Sequence, residues 1–285
     1  MKEPAMKTTT LRNEAQVAQD AADATGAAST VQSVCDAETG VCELPAAAER
    51  REEPRASKAG GEVLYVGDPM CSACWGISPA LRQLEAEASL RAVPFRILVG
   101  GLRPGGGDAW TGGFRDFLRH HWEEIGARTG QPFSTRFLDR ANFDYDTEPS
   151  CRAFVVLRDM LSERGGSPTG TYEVFAAIQR KFYVDAEDPT NASFYRSICA
   201  ANDLDFPTFV RRFEHPDSKA ATAAEFHEVR ALGVRGFPTV LYRDGASAAV
   251  EAATAMIPSA RVLAIGYATA AGLVDALDAA TTSAR

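Results

Sequence analysis

The 285-residue sequence contains no apolar stretch approaching the roughly 20 residues that a membrane-spanning helix needs. Between Met1 and Ala28 there is a basic start but no apolar segment behind it, so the pattern of a secretory signal is missing. Histidine is scarce: His120, His121, His215 and His227 are the only four, and none has metal-ligand spacing. A basic excess is also lacking, since 30 Lys and Arg face 38 Asp and Glu for a formal charge of −8. That balance gives no electrostatic reason for nucleic acid or an anionic membrane as partner. Residues 1–60 lack aromatics and are rich in Ala, Glu, Thr and Ser, a composition that buries too little apolar surface to offset ordering entropy. No internal repeat is present. These absences predict a cytoplasmic protein without a metal, with a low-complexity, disordered N-terminal tail.

Ordered structure is expected from Glu62 onward. "VLYV" (63–66) is a short apolar run suited to a strand buried on both faces. After the loop "GDPM" the pattern turns helical, with Ile77, Leu81, Leu84 and Ala88 on one face and Pro79 as a kink. "VPFRILVG" (93–100) reads as a second strand, which makes a right-handed βαβ unit. From about 104 to 232 the sequence is helical almost throughout. Phe114, Phe117, Leu118, His121 and Ile125 share one face, and Thr147 is the expected cap of a helix with Pro149 in its first turn. Strand character returns at "PTVLY" (238–242) and "RVLAI" (261–265), and a closing helix carries Ala270, Leu273, Val274 and Leu277. The order βαβ, helical block, ββα predicts an α/β thioredoxin-like fold. Residues 61–103 and 233–285 form the thioredoxin-like domain, and 104–232 the α-helical insertion. The stretch 246–260 is longer than an ordinary hairpin connection.

Cys71 and Cys74 stand where a strand gives way to a helix. Their spacing allows two sulfurs to meet across one turn. Unpaired N–H groups at the helix start favour a thiolate at the first cysteine, so Cys71 is expected to be the exposed nucleophile and Cys74 the buried resolving thiol. A CxxC also occurs in zinc sites, but those require a second close pair, and Cys35 and Cys42 lie apart in the tail. "VRGFPT" (234–239) precedes a strand. In thioredoxin-like folds a cis-proline at this place faces the CxxC and offers backbone to a substrate strand, which predicts a cis Phe237–Pro238 bond.

The stretches "GDPMCSACWGISP" (67–79), "GGLRPG" (100–105), "FDYDTEPSCRAF" (143–154) and "VRGFPTVL" (234–241) together resemble the DsbA family. The resemblance covers residues 62–280. It implies dithiol–disulfide exchange with protein or peptide thiols and disulfides, Cys71 as nucleophile, Cys74 as resolving thiol, and Phe237, Pro238 and Trp75 on the substrate side. No cofactor beyond the redox disulfide is implied, with glutathione or a thioredoxin system as electron donor. Two departures stand out. Ala73 replaces the aromatic this branch usually has between the cysteines, and Tyr65 stands where related proteins often keep a buried acid, leaving water, Asp68 or another group to move the Cys74 proton.

Cys35 and Cys42 are read either as an auxiliary redox pair that relays electrons to or from Cys71 or as two free tail thiols. Cys151 is read as a packed core cysteine near the site, with a regulatory thiol as the alternative, and Cys199 as structural. In a reducing cytoplasm the enzyme is expected to run as a reductase or isomerase. A glutathione-dependent isomerase or transferase of small molecules is the alternative, disfavoured because both CxxC thiols are retained.

Overall fold

The computed structural model describes residues 35–36, 38–43, 61–165, 171–245 and 260–283. At its centre lies β3 (Glu62–Gly67), all six residues buried, as expected of an apolar run covered on both faces. It pairs in parallel with β4 (Phe95–Val99) and antiparallel with β6 (Thr239–Arg243), and β6 pairs antiparallel with β7 (Ala260–Ile265). The sheet order is therefore β4-β3-β6-β7. The connection from β3 to β4 is helical but broken: α1 (Ser72–Gly76) ends at Ile77 and α2 (Ser78–Leu90) begins there. Pro79 sits in the first turn of α2, where its missing N–H costs nothing. Leu81, Leu84 and Ala88 are fully buried on α2, which packs against α9 (Ala270–Ser283) through its buried Leu273 and Leu277. This is the expected thioredoxin-like arrangement with a helical insertion.

The insertion consists of α3 (Gly112–Thr129), α4 (Glu148–Glu163), α5 (Thr171–Tyr183), α6 (Arg196–Ala201), α7 (Phe206–Glu214) and α8 (Pro216–Ala231). It is fastened to the open edge of the sheet by an ion pair. Arg158 of α4 and Glu225 of α8 face each other at 2.7 Å. Each also serves the outer edge of β4: Glu225 accepts from the Val99 N–H at 2.7 Å, and Arg158 donates to the Ile97 carbonyl at 2.9 Å. Backbone groups that a bare edge strand would leave unpaired are thereby satisfied.

Three local expectations are corrected. Phe117 is 44% exposed and stacks on the buried His121 ring rather than joining the core face of α3. Thr147 precedes α4 but does not cap it; its hydroxyl accepts instead from the Arg103 N–H at 3.0 Å. The third concerns the tail. Residues 35–36 and 38–43 belong to a hairpin of β1 (Cys35–Asp36) and β2 (Val41–Glu43), and β2 adds antiparallel to β5 (Gly236–Phe237) in a separate three-stranded sheet. The remainder of the tail and the stretch 246–259 lie outside the described residues. Among the described residues no helix is long and apolar enough to cross a membrane.

Candidate active site

The turn after β3 is organised by Asp68. One carboxylate oxygen accepts from the Met70 N–H at 2.8 Å, closing a local turn. The other accepts from the Leu102 N–H at 2.7 Å and from the Cys151 thiol at 3.3 Å. Three of the four diagnostic stretches thus meet on one carboxylate. Tyr145 adds a second tie, its hydroxyl donating to the Met70 carbonyl at 2.9 Å. The fourth stretch enters through Phe237, whose ring lies so close to Gly100 that a Cβ there would stand 1.8 Å from it. Asp68 is wholly buried, and that burial raises its pKa against the lowering effect of its hydrogen bonds. Its carboxylate also takes a side-chain hydrogen bond from Thr147, and the thiol it touches is that of Cys151. Cys151 is a core cysteine with a definite partner.

Cys71 begins α1 as its N-cap, and its sulfur accepts from the Cys74 N–H at 3.4 Å. Cys71, Cys74, Cys151 and Cys199 are free thiols. The expectation of an exposed Cys71 is overturned: its relative exposure is 0%, as is that of Cys74. The hairpin lies directly against it. Cys42, itself disulfide-bonded, brings its sulfur to 3.6 Å from the Cys71 sulfur. Cys42 sits opposite Phe237 in the β2–β5 register, and Cys35 sits opposite Cys42 in the β1–β2 register. Burial, then the hydrogen bond and charge of Cys74, push the Cys71 thiol well above its ordinary range. One turn of helix N-terminus does not offset that desolvation. The reading of Cys42 as a free tail thiol is likewise overturned.

Phe237–Pro238 is cis, as expected, and Pro238 is buried with its carbonyl accepting from the Gly266 N–H at 2.9 Å. Trp75, expected on the substrate side, packs against the insertion. It is 6% exposed, donates from Nε1 to the Pro132 carbonyl at 2.9 Å and stacks on Tyr183 of the insertion. Tyr65, at the place of the usual acid, is fully buried. Burial and then negative charge at Cys74 raise its hydroxyl well above the ordinary range, so it stays a neutral phenol. Sequence reasoning missed Tyr267, which no motif marked. Its ring lies over Gly40 of the hairpin turn, its N–H donates to the Thr39 carbonyl at 3.0 Å, and the Arg128 guanidinium lies 4.6 Å from its ring centre. An open cleft of about 600 Å³ is lined by Trp110, Phe143, Asp146 and Asp188 among others, and neither Cys71 nor Cys74 lines it.

No protein-family model matches the chain. A curated relative, the ClpXP adapter protein SpxH of Shouchella clausii, is 22% identical over 215 residues, which span 74% of this chain and 66% of that protein's length. Among solved structures, one from Nitrosomonas europaea assigned as a protein disulfide isomerase superposes with a TM-score of 0.63 at 28% identity, covering 79% of this chain and 98% of that one. The cytosolic disulfide reductase DsbM of Pseudomonas aeruginosa gives a TM-score of 0.58 at 22% identity, covering 78% of this chain and 99% of that one.

Proposed function

We propose that this chain, a DsbA-like thiol–disulfide oxidoreductase, acts on protein or peptide disulfides through Cys71, with Cys74 as resolving thiol. The Cys71 thiolate attacks one sulfur of the substrate disulfide, and the other leaves as a thiolate. Cys74 then attacks the Cys71 sulfur, closing Cys71–Cys74 and releasing the reduced substrate. The observation that carries this reading is the strand at β5. A disulfide-bonded cysteine, Cys42, stands opposite Phe237 in the antiparallel register and holds its sulfur 3.6 Å from Cys71. A peptide laid along the same backbone would present its own disulfide in the same way.

The reductase or isomerase direction is the one a reducing cytoplasm imposes on such a couple. Glutathione is the proposed small thiol for the return step. A DsbM structure of similar fold, solved with GSH, supports it. The test is turnover of a disulfide-bonded peptide with glutathione as reductant. Cys71→Ser should abolish turnover, and Cys74→Ser should stall as a mixed disulfide at Cys71. Turnover that survives Cys71→Ser would sink the assignment.

A further inference from the structure

The hairpin is built to sit where it sits. Asp36 organises its turn by accepting from the Glu38 and Thr39 N–H groups at 2.9 and 2.7 Å and from the Thr39 hydroxyl at 3.0 Å. Gly40, at φ +71°, accomplishes the reversal and donates to the Asp36 carbonyl at 2.9 Å. The seat is matched to it. A Cβ on Gly236 would meet Val41 at 2.5 Å, and one on Gly266 would meet the Thr39 carbonyl oxygen at 2.1 Å. Cys42 is 0% exposed and belongs to the same apolar cluster as Cys71, Cys74, Phe237 and Leu241.

We propose that the hairpin is a resident substrate, whose disulfide exchanges in cis with the Cys71–Cys74 dithiol. This rests on the redox reading of Cys71 and Cys74 above and adds the identity of the first disulfide they meet. The step begins with the Cys71 thiolate attacking Cys42. The Cys71–Cys42 bond forms, the disulfide of Cys42 breaks, and the leaving sulfur belongs to its partner, assigned to Cys35 because the register sets Cys35 opposite and the other four cysteines are free thiols. The Cys74 thiolate then attacks Cys71, forming Cys71–Cys74 and releasing Cys42. Two electrons pass from the CxxC to the hairpin, and the protons lost by Cys71 and Cys74 reappear on Cys35 and Cys42. No outside oxidant or reductant enters.

The attacking distance is close to the roughly 3–3.5 Å of a near-attack geometry. A hairpin in this position also fills the strand place beside β5, so an outside disulfide reaches Cys71 only after the hairpin leaves.

The test uses full-length Cys74→Ser, which lacks the resolving thiol. The hairpin disulfide is formed first, the pH is raised to ionise Cys71, and the protein is acid-quenched, unfolded, alkylated and peptide-mapped. The expected result is a shift of the label from Cys71 to Cys35 at unchanged total label, together with a Cys42–Cys71 linked peptide. A mixture of ¹⁵N-labelled and unlabelled protein should give no mixed-isotope link. Label that stays on Cys71, or links of mixed isotope, would overturn the proposal. Cys74→Ala gives the same reading if the serine hydroxyl disturbs its apolar surroundings. Oxidised glutathione offered to the same sample separates the two ideas. An adduct at Cys71 without a hairpin link removes the resident substrate and leaves the redox reading intact, whereas no adduct and no link removes both.

Discussion

Gly236→Ala isolates the hairpin's hold on the nucleophile. A methyl at this position would stand 2.5 Å from Val41 Cγ1, 2.9 Å from the Cys42 carbonyl oxygen and 3.4 Å from its carbon, and all three atoms belong to the hairpin. Gly236 is not among the glycines at positive φ, so its own backbone accepts alanine without strain. The load therefore falls on docking. Overpacking of this kind costs about 1–3 kcal/mol, and each ladder hydrogen bond that slips adds about 0.5–1.5 kcal/mol. Taking about 1–3 kcal/mol at 1.36 kcal/mol per tenfold, the undocked fraction rises about 5- to 150-fold. The assay is the rate of Cys71 alkylation near neutral pH, mapped by peptide mass. Because alkylation requires an exposed thiolate and Cys71 is fully buried when the hairpin is docked, the rate should rise by about the same 5- to 150-fold. A rate unchanged from the wild type, in a variant of unchanged fold, would refute the claim that the hairpin is what covers Cys71.

Four further outcomes follow from the same geometry. Trp75→Phe removes the hydrogen bond to Pro132 and should cost about 1 kcal/mol of stability in urea unfolding while leaving Cys71 alkylation unchanged, since Trp75 braces the insertion and not the thiol. Glu62→Ala leaves the buried Arg243 without its carboxylate and should cost about 3–5 kcal/mol in the same assay. Asp68→Asn forfeits acceptor capacity shared by Met70, Leu102 and Cys151 and should cost about 1–3 kcal/mol. It should also flatten the pH profile. The raised folded pKa of Asp68 means the fold holds its proton more tightly, so this contribution is complete below the unfolded carboxyl value of about 3.9 and is lost as pH rises through the folded pKa. Hairpin docking obeys the same sign at Cys71. Its pKa is raised in the docked state, so docking, read by limited proteolysis after Glu43, should weaken as pH climbs past about 8.5, where an undocked thiol ionises.

Much of the frame was legible because its signals are local. An apolar run marks β3, Pro79 breaks the helix at Ile77, and the short spacing of Cys71 and Cys74 stands at the strand–helix junction. The groups that converge on Asp68 were not legible, because the Leu102 N–H and the Cys151 thiol reach it from 34 and 83 residues away. Trp75 illustrates the same limit: its place on α1 is local, but its direction is decided by Pro132 and Tyr183. The hairpin failed for another reason. Strands of two and three residues carry no hydrophobic period, and their pairing energy comes from an edge nearly 200 residues away in sequence. One signal in the sequence did point to it: Gly40 permits a turn that brings Cys35 and Cys42 together.

The burial of Cys71 alters how its activation is understood. A helix N-terminus lowers a thiol's pKa when the sulfur gains N–H groups without losing water. Here the sulfur has the Cys74 N–H at 3.4 Å and no solvent at all, and desolvation outweighs the single donor. In the docked state Cys71 is therefore a protonated, unreactive thiol held against a disulfide sulfur. Removing the hairpin returns water to the sulfur while leaving α1 in place, which restores the conditions for a thiolate. One contact thus does two opposed things: it supplies a disulfide within reach, and it withholds the charge needed to attack it. Exchange with the hairpin and reactivity toward outside disulfides then share one gate, the loss of the Cys71 proton, and a change that loosens the seat at Gly236 or Tyr267 should raise the second at the expense of the first.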